Sequence, residues 1–345
     1  MTSLSYFWGL IISFFAIIAP AYSATELSHE PISPIEPAQI TDPAMVELGK
    51  KLFFDPRLSK SGFLSCNSCH NLSAGGSDNL PTSIGHLWQE GPINSPTVLN
   101  AKYSLAQFWD GRALTLKEQA AAPIENPVEM ALEHHLAIEV LQGIPGYMQE
   151  FQQVFGQRGI SMDTVTEALA CFEETLVTPN SRFDQYLNGN KEALTQAEQE
   201  GYALFKTPSE ANFYSCTSCH MGPAAGGTMY SYLGMANPFE TQNPSQGRFE
   251  FTGLENHRMV FKVPSLRNIE LTYPYFHDGS TYDLSEAVIT MHRVQMGIER
   301  SEDEIAKIVQ FLLTLGGDLP QIVLPQLPPS VATTPRPQPF PTPQP

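Results

Sequence analysis

The chain has 345 residues, a hydrophobic fraction of 42% and a formal net charge of −17 at pH 7. This length suffices for two modest domains, each able to bury its own core. Because the body is strongly acidic, it repels the phosphates of nucleic acids and anionic membrane surfaces, and neither is expected as a partner.

The first predicted element is an uncharged apolar segment over residues 4–22, which ends in Ala21-Tyr22-Ser23, a small-x-small cleavage pattern. Such a segment is typical of an export signal, so we predict a signal peptide over residues 1–23. No basic residue precedes the segment, and its length approaches that of a membrane span. An uncleaved membrane anchor therefore stays open as the alternative, and both alternatives export the rest of the chain.

A five-residue pattern, Cys-x-x-Cys-His, occurs twice in the chain, 150 residues apart. The pattern residues are Cys66, Cys69 and His70 in the first copy and Cys216, Cys219 and His220 in the second. In c-type haem attachment, two such thiols add to one porphyrin and the histidine reaches the iron. A zinc site needs a second Cys or His pair for each copy, and a thioredoxin-like redox pair needs no trailing histidine. We therefore predict two covalently bound haem c groups.

The surroundings of the two motifs also match, which indicates an internal duplication. A Gly-x-x-Leu-Phe segment precedes each motif, and a Pro-containing segment and an Asp-Gly step follow each one. These segments pair as 49–53 with 201–205, 96–100 with 264–268, and 108–111 with 276–279. Two copies of one small helical haem domain explain the pattern.

Apolar residues recur at helical spacing over residues 147–155 and 165–176 and again over 305–313, whereas alternating strand patterns are scarce. We predict an all-α fold of two cytochrome c-like haem domains with long loops, over residues 24–190 and 191–318. The remaining segment, 319–345, is rich in Pro, Gln and Thr and nearly uncharged, which predicts a disordered tail.

The two copies differ at a position that matters for haem chemistry. Aligned on their Asp-Gly steps, Met291 of the second copy stands opposite Pro123 of the first. A thioether as sixth ligand raises the haem potential and closes the iron, and proline cannot supply it. We predict that the second haem holds electrons while the first can open to a small molecule. The competing ligand is Met296, with Met259 and Met235 as weaker candidates, and core packing is the alternative role of Met291.

Polar residues of the first copy are candidates for chemistry beside an open iron. His86 lies in a loop sixteen residues after His70, where it could bind or leave the iron or simply be a surface residue. Glu129 starts a predicted helix, and Gln119 lies near it on the preceding helix. A carboxyl there could move a proton between the oxygens of peroxide, although a favourable charge at a helix start is the alternative.

On these motifs the chain resembles the bacterial di-haem cytochrome c peroxidases over residues 40–316. The motifs that carry the resemblance are Cys-Asn-Ser-Cys-His-Asn-Leu at 66–72, Leu-Pro-Thr-Ser-Ile-Gly-His at 80–86, Ala-Gln-Phe-Trp-Asp-Gly-Arg-Ala at 106–113, Asn-Pro-Val-Glu-Met at 126–130 and Tyr-Phe-His-Asp-Gly at 275–279. The resemblance implies a periplasmic enzyme, usually a homodimer, that reduces hydrogen peroxide to water. Its electrons would come from a small donor, either a cytochrome c or a cupredoxin.

The resemblance further implies a role for each haem. The haem at His70 is similar to the low-potential peroxidatic haem, and His86 resembles its switchable sixth ligand. The haem at His220 is similar to the high-potential electron-transfer haem, with Met291 as its sixth ligand.

Further roles follow from the resemblance alone. Glu129 resembles the acid/base residue, with Gln119 beside it, and Trp109 resembles the aromatic residue between the haems. The residues that match a calcium site at the domain interface are Asn94, Thr272 and Pro274. Without the resemblance, Asn94 and Thr272 would be predicted as turn residues and Trp109 as a core residue.

Two other functions stay open on the sequence. A related di-haem type matures tryptophylquinone cofactors, but it has a tyrosine where Met291 stands here. A di-haem electron carrier or redox sensor would lack an iron that opens. The long Pro-rich tail and His292, directly after Met291, depart from the family pattern.

Overall fold

The computed structural model describes residues 30–208 and 213–338, and the predicted all-α fold is confirmed in these ranges. The helices are α1 (Pro43–Phe54), α2 (Cys66–Cys69), α3 (Leu116–Glu125), α4 (His134–Gln142), α5 (Pro145–Phe155), α6 (Met162–Glu173), α7 (Arg182–Leu187), α8 (Gln196–Lys206), α9 (Phe249–Thr252), α10 (Leu284–Met291) and α11 (Glu302–Leu312). Two short antiparallel strands, β1 (Tyr230–Tyr232) and β2 (Val260–Lys262), pair with Tyr230 opposite Lys262. The predicted signal peptide, 1–23, lies outside the described residues. Within those residues, every helix is too short or too polar to cross a membrane.

Side-chain caps fix the starts of the main helices. At α8, the Thr195 hydroxyl accepts from the Glu198 amide at 3.3 Å, and the Glu198 carboxylate accepts from the Thr195 amide at 2.7 Å. The same reciprocal pair joins Ser301 and Glu304 at the start of α11. Each cap satisfies amides that the first helical turn leaves without partners.

Two helix crossings explain the paired Gly-x-x-Leu-Phe segments. Gly49 of α1 lies against the carbonyl oxygen of Ala168 on α6, and a Cβ on Gly49 would overlap with that oxygen. Gly201 of α8 meets the carbonyl oxygen of Lys307 on α11 in the same way. Only glycine allows backbones to approach this closely, so each copy of the duplication conserves one crossing geometry within this chain.

The apolar side chains form two separate clusters, and each cluster packs against one Cys-x-x-Cys-His motif. Residues of α1, α5 and α6 build the first cluster, which contacts Cys66. Residues of α8 and α11 build the second, which contacts Cys216 and also contains Phe183 of α7 and Ile32. Because α7 packs with the second cluster, we propose a domain boundary before Arg182 rather than at residue 190.

Equivalent asparagines of the two copies meet at one buried threonine. Asn100 and Asn268 both have left-handed backbones, with φ of 62° and 55°. The side-chain amide of each donates to the Thr178 hydroxyl at 2.8 Å. Asparagine tolerates a left-handed backbone better than most residues do. This tolerance explains why the paired segments 96–100 and 264–268 both end in Asn.

The described part of the tail, residues 319–338, has neither helix nor strand, but it is held against the first cluster. Arg57 donates to the Pro328 carbonyl at 2.8 Å, and the Thr334 hydroxyl donates to the Gly143 carbonyl at 2.7 Å. Thr334 is buried, and Ile322 packs against the first cluster. The backbone carbonyls of an extended proline-rich segment stay free to accept hydrogen bonds, and Arg57 binds one of them, that of Pro328.

Candidate haem sites

The first Cys-x-x-Cys-His motif lies on the one-turn helix α2. The Ser65 amide donates to the Ser68 hydroxyl at 2.9 Å, which caps the turn and brings both thiols to one side. The His70 Nδ1 lies 3.1 Å from the carbonyl oxygen of Pro96. Since a carbonyl only accepts, Nδ1 carries the proton and the Nε2 lone pair is available to a metal. Burial lowers the pKa of His70 and favours this neutral state.

The second motif repeats this arrangement on a 3₁₀ turn, Cys216–Ser218. The His220 Nδ1 lies 3.1 Å from the carbonyl oxygen of Ala225, and burial lowers the pKa of His220 to about 4. Burial also raises the pKa of Cys216 to about 12. A thiol that stays protonated at neutral pH does not behave as a thioredoxin-like nucleophile, which argues against that alternative.

A cavity with a mostly apolar lining adjoins the second motif, and such a lining suits a porphyrin. Its lining includes Cys216, Cys219 and His220 together with Met291. Met291 is the last residue of α10, and a π-helical turn follows it over His292–Met296. Such turns are frequent at functional sites because they redirect a helical side chain. Thiols one turn apart, an available imidazole nitrogen and an adjoining cavity together match what haem c requires.

Other sulfur and imidazole groups also surround this cavity. Met296 and Met235 line it, whereas Met259 is not among its lining residues. The His292 Nδ1 donates to the Val288 carbonyl at 2.8 Å, and its buried Nε2 has no partner in the described part of the chain. The structure therefore brings Met291 to the cavity but does not single it out from Met296.

The structure brings His86 and Glu129 together. The His86 amide donates to the Glu129 carbonyl at 2.8 Å, and His86 itself is buried. The two residues that follow it, Leu87 and Trp88, have positive φ of 56° and 62°, a strained backbone for side chains of this size. Burial, with a smaller effect of Lys60, lowers the pKa of His86, and its Nδ1 lacks a partner among the described residues. A neutral imidazole on a strained loop is suited to reversible ligation.

The Glu129 carboxylate is held by its own turn. Asn126 donates to it at 2.6 Å, while burial raises the pKa of Glu129 above the ordinary range for glutamate. Gln119 lies on α3, and its side chain forms no hydrogen bond to another described residue. The structure thus connects Glu129 to His86 through the backbone but does not join Gln119 to either of them.

Trp109 lies where the two copies of the duplication meet. Its indole Nε1 donates to the Asn94 carbonyl at 2.8 Å, and the Asn94 amide donates to the His277 carbonyl at 2.8 Å. The Trp109 ring also contacts the His277 ring edge-on, with centroids 6.4 Å apart. Trp109 lines the cavity of the second motif, so an aromatic side chain of the first copy reaches the second haem site.

The three residues expected at a calcium site line the same cavity as Trp109. Asn79 donates to the carbonyls of Leu271 and Tyr273, at 2.9 and 2.7 Å. By contrast, the carbonyls of Thr272 and Pro274 accept no hydrogen bond from another described residue. Carbonyl and amide oxygens without donors are the ligands that calcium prefers, and calcium at Asn94, Thr272 and Pro274 stays a prediction. Over the described ranges, no cluster of three His, Cys, Asp or Glu residues could hold a metal.

Sequence reasoning missed three buried ionisable residues near these sites. Burial lowers the pKa of Lys262 to about 8 and raises the pKa of Glu173 to about 8. Neither ring nitrogen of buried His277 has a partner in the described residues. Glu173 follows Leu169 by four residues, so helical periodicity could have placed it on the buried face of α6. No local sequence signal marks Lys262 as buried.

Comparisons with known proteins show which proteins this chain is similar to. The family model for di-haem cytochrome c peroxidase matches residues 43–192. The chain is 58% identical to the cytochrome c551 peroxidase of Nitrosomonas europaea over 91% of this chain and 92% of that protein. It is 43% identical to the cytochrome c551 peroxidase of Pseudomonas aeruginosa over 95% and 96% of the two chains. A crystal structure of a MauG-like protein associated with microbial copper homeostasis aligns with a TM-score of 0.70 at 25% identity, covering 88% of this chain and 96% of that one.

Proposed function

The chain belongs to the di-haem cytochrome c peroxidase family, and from this premise we propose that it reduces hydrogen peroxide to water in the periplasm. The electrons come from a small cytochrome c or a cupredoxin. The observation that carries the proposal is the inequality of two duplicated haem sites. Met291 of the second copy lines its cavity, whereas the equivalent residue of the first copy is Pro123. The relatives named above as peroxidases cover nearly the whole chain.

Two haem c groups, when bound, supply the irons that hold electrons and bind peroxide. In this chain Cys66, Cys69 and His70 would hold the first group, and Cys216, Cys219 and His220 would hold the second. Met291 is the proposed sixth ligand at the second site. His86 is the proposed sixth ligand at the first site, where its withdrawal admits substrate.

Glu129 is the proposed acid/base residue, and Gln119 is proposed to orient the substrate beside it. A carboxylate with a raised pKa can accept a proton from one peroxide oxygen and deliver it to the other near neutral pH. The hydrogen bond from Asn126 holds the Glu129 side chain in one orientation for this transfer. The contact of the Glu129 carbonyl with the His86 amide supports a role for both residues at one site.

Trp109 is the proposed route for electrons between the two haem sites. Its hydrogen bond to Asn94 and its ring contacts with Phe261 and His277 hold it firmly in place. We propose calcium at the oxygens of Asn94, Thr272 and Pro274. Because the Asn94 carbonyl accepts from Trp109, calcium bound by the Asn94 side chain would stabilise the position of the indole ring.

The remaining proposals concern export and assembly. A signal peptide over residues 1–23 would direct the chain to the periplasm, and a homodimer is the proposed assembly. The Pro-rich tail is proposed to be an extension that adds no chemistry. A role in tryptophylquinone maturation is less well supported, because methionine stands where that type of enzyme has tyrosine.

A steady-state assay tests the proposed function. The holoprotein, with calcium and a reduced small cytochrome c, should oxidise two donor molecules for each peroxide consumed. A Cys66→Ser, Cys69→Ser double variant, which cannot attach the first haem, is the matched control and should retain a reducible second haem without turnover. Donor oxidation that does not depend on peroxide would support an electron carrier instead and would contradict the proposal.

A further inference from the structure

A buried lysine that has no counter-ion among the described residues lines the cavity of the second haem site. Lys262 is the last residue of β2 and is only 8% exposed. Its ammonium group forms no hydrogen bond or ion pair with another described residue, and burial is the sole cause that lowers its pKa. A buried charge costs several kcal/mol unless an opposite charge compensates it, so the lysine demands an anionic partner.

The described residues supply no such anion at this cavity. The chain contains 36 Asp and Glu residues, yet none of the described residues that line the cavity is acidic. In the same lining, Lys262 is the only Lys or Arg. Because the lining offers a cation but no carboxylate to pair with it, we expect the pairing anion to belong to the molecule that occupies the cavity. Each haem c carries two propionate groups, and these are the carboxylates that a porphyrin would bring to this cavity.

We infer that Lys262 is a positioning residue that forms an ion pair with a propionate of the second haem. The inference rests on the haem site proposed at Cys216, Cys219 and His220. It goes beyond that proposal because it assigns the charge that orients the porphyrin and tunes its potential. A cation beside the haem stabilises the reduced form, which carries one more electron, and therefore raises the reduction potential.

The position of Lys262 also connects this ion pair to the proposed electron route. Its backbone amide donates to the Trp109 carbonyl at 2.7 Å, and β1 fixes it from the other side through Tyr230. The preceding residue, Phe261, packs against both the Trp109 and the His277 rings. The backbone of Trp109 thus holds Lys262 next to the residue that is proposed to carry electrons between the two haem sites.

Replacement of Lys262 by methionine, which keeps the side-chain length but removes the charge, tests the inference in the holoprotein. Spectroelectrochemical titration of the second haem should show at least a tenfold shift of its reduction equilibrium toward the oxidised form, equivalent to a potential about 59 mV lower for one electron. Lys262→Arg should restore most of the shift because it keeps the charge. Lys102→Met is the matched control, since Lys102 is exposed although it adjoins the cavity-lining Ala101, and it should leave the potential unchanged.

The outcomes separate this inference from the proposed function. A second haem with unchanged potential in Lys262→Met would overturn the role of Lys262 and leave the haem site intact. Wild-type protein without haem at Cys216 and Cys219 would overturn both. If Lys262→Met fails to fold, a crystal structure of the wild-type holoprotein decides. A lysine nitrogen within about 4 Å of a propionate oxygen supports the ion pair, and a lysine directed away from the porphyrin overturns it.

Discussion

The histidines proposed as haem ligands differ in what their Nδ1 atoms contact. At His70 and His220 a backbone carbonyl lies 3.1 Å from Nδ1, which fixes the tautomer and leaves Nε2 for iron. At His86 the Nδ1 has no partner among the described residues. The haem-attaching residues could be predicted because five consecutive residues contain the whole motif. Lys262 could not be predicted, because its burial depends on the pairing of β2 with β1 far along the chain.

Among single-residue changes, Met291→Leu tests the proposed sixth ligand of the second haem. Loss of the thioether should lower the potential of that haem by on the order of 0.1 V, within the range of about 0.8 V that axial ligands control. It should also open the iron to external ligands. Redox titration and absorption spectra measure both effects. Met235→Leu, at another residue of the same cavity, is the control. An unchanged spectrum in Met291→Leu together with these effects in Met296→Leu would reassign the ligand.

Glu129→Gln tests the acid/base residue. The amide cannot exchange a proton with substrate, so kcat should fall by about 10²- to 10⁴-fold while both haems remain bound. Burial raises the pKa of Glu129, so in the unchanged protein the active carboxylate form is lost as pH falls through that raised value. The acidic limb of the pH–rate profile should therefore lie above the ordinary glutamate range and disappear in the variant. Glu125→Gln, at an exposed position that ends α3, should retain full activity.

Among the secondary-structure elements, the helices of the duplicated unit were the most predictable. Apolar periodicity over residues 147–155, 165–176 and 305–313 predicted the helices α5, α6 and α11, because each signal lies within a few turns of one helix. The short strands and the π-helical turn after Met291 were not predicted, since three-residue strands and one-turn helices leave little periodicity. The contacts of the tail with Arg57 and Gly143 also escaped prediction. Composition describes the extended conformation of the tail but not the surface against which it lies.

The two helix crossings give a test at the scale of elements. A methyl group at Gly49 or Gly201 would overlap with a backbone carbonyl of the facing helix, so each Gly→Ala variant should lose about 1–3 kcal/mol of unfolding free energy. Urea denaturation of the holoprotein measures the loss. Gly91→Ala is the control, because the nearest atom to a Cβ there is 3.5 Å away. Equal stability of all three variants would show that the paired helices can move apart without loss of stability. The close helix contact would then not explain why glycine occurs at both positions.

For the whole molecule, duplication explains the architecture and divergence explains the proposed chemistry. The shared features are the crossed helix pairs, the haem motifs and the asparagines that meet at Thr178. The differences are the methionine at the second site and the histidine loop near Glu129 at the first. The repeated segments and the haem motifs could be predicted from the sequence, whereas the helix crossings and the contact at Thr178 required the structure. The cavity wall common to Trp109, Asn94 and His277 required the structure, because it joins residues from both copies.

Cyanide binding to the holoprotein tests most directly whether the two haem sites are unequal. With calcium present and one haem reduced, we expect one cyanide per chain to bind, with the spectral change confined to the haem at His70. In His86→Gly, cyanide should bind to the same extent in the fully oxidised protein, because the loop no longer supplies a ligand. Absence of cyanide binding in every redox state, or binding of two cyanides per chain, would contradict the account.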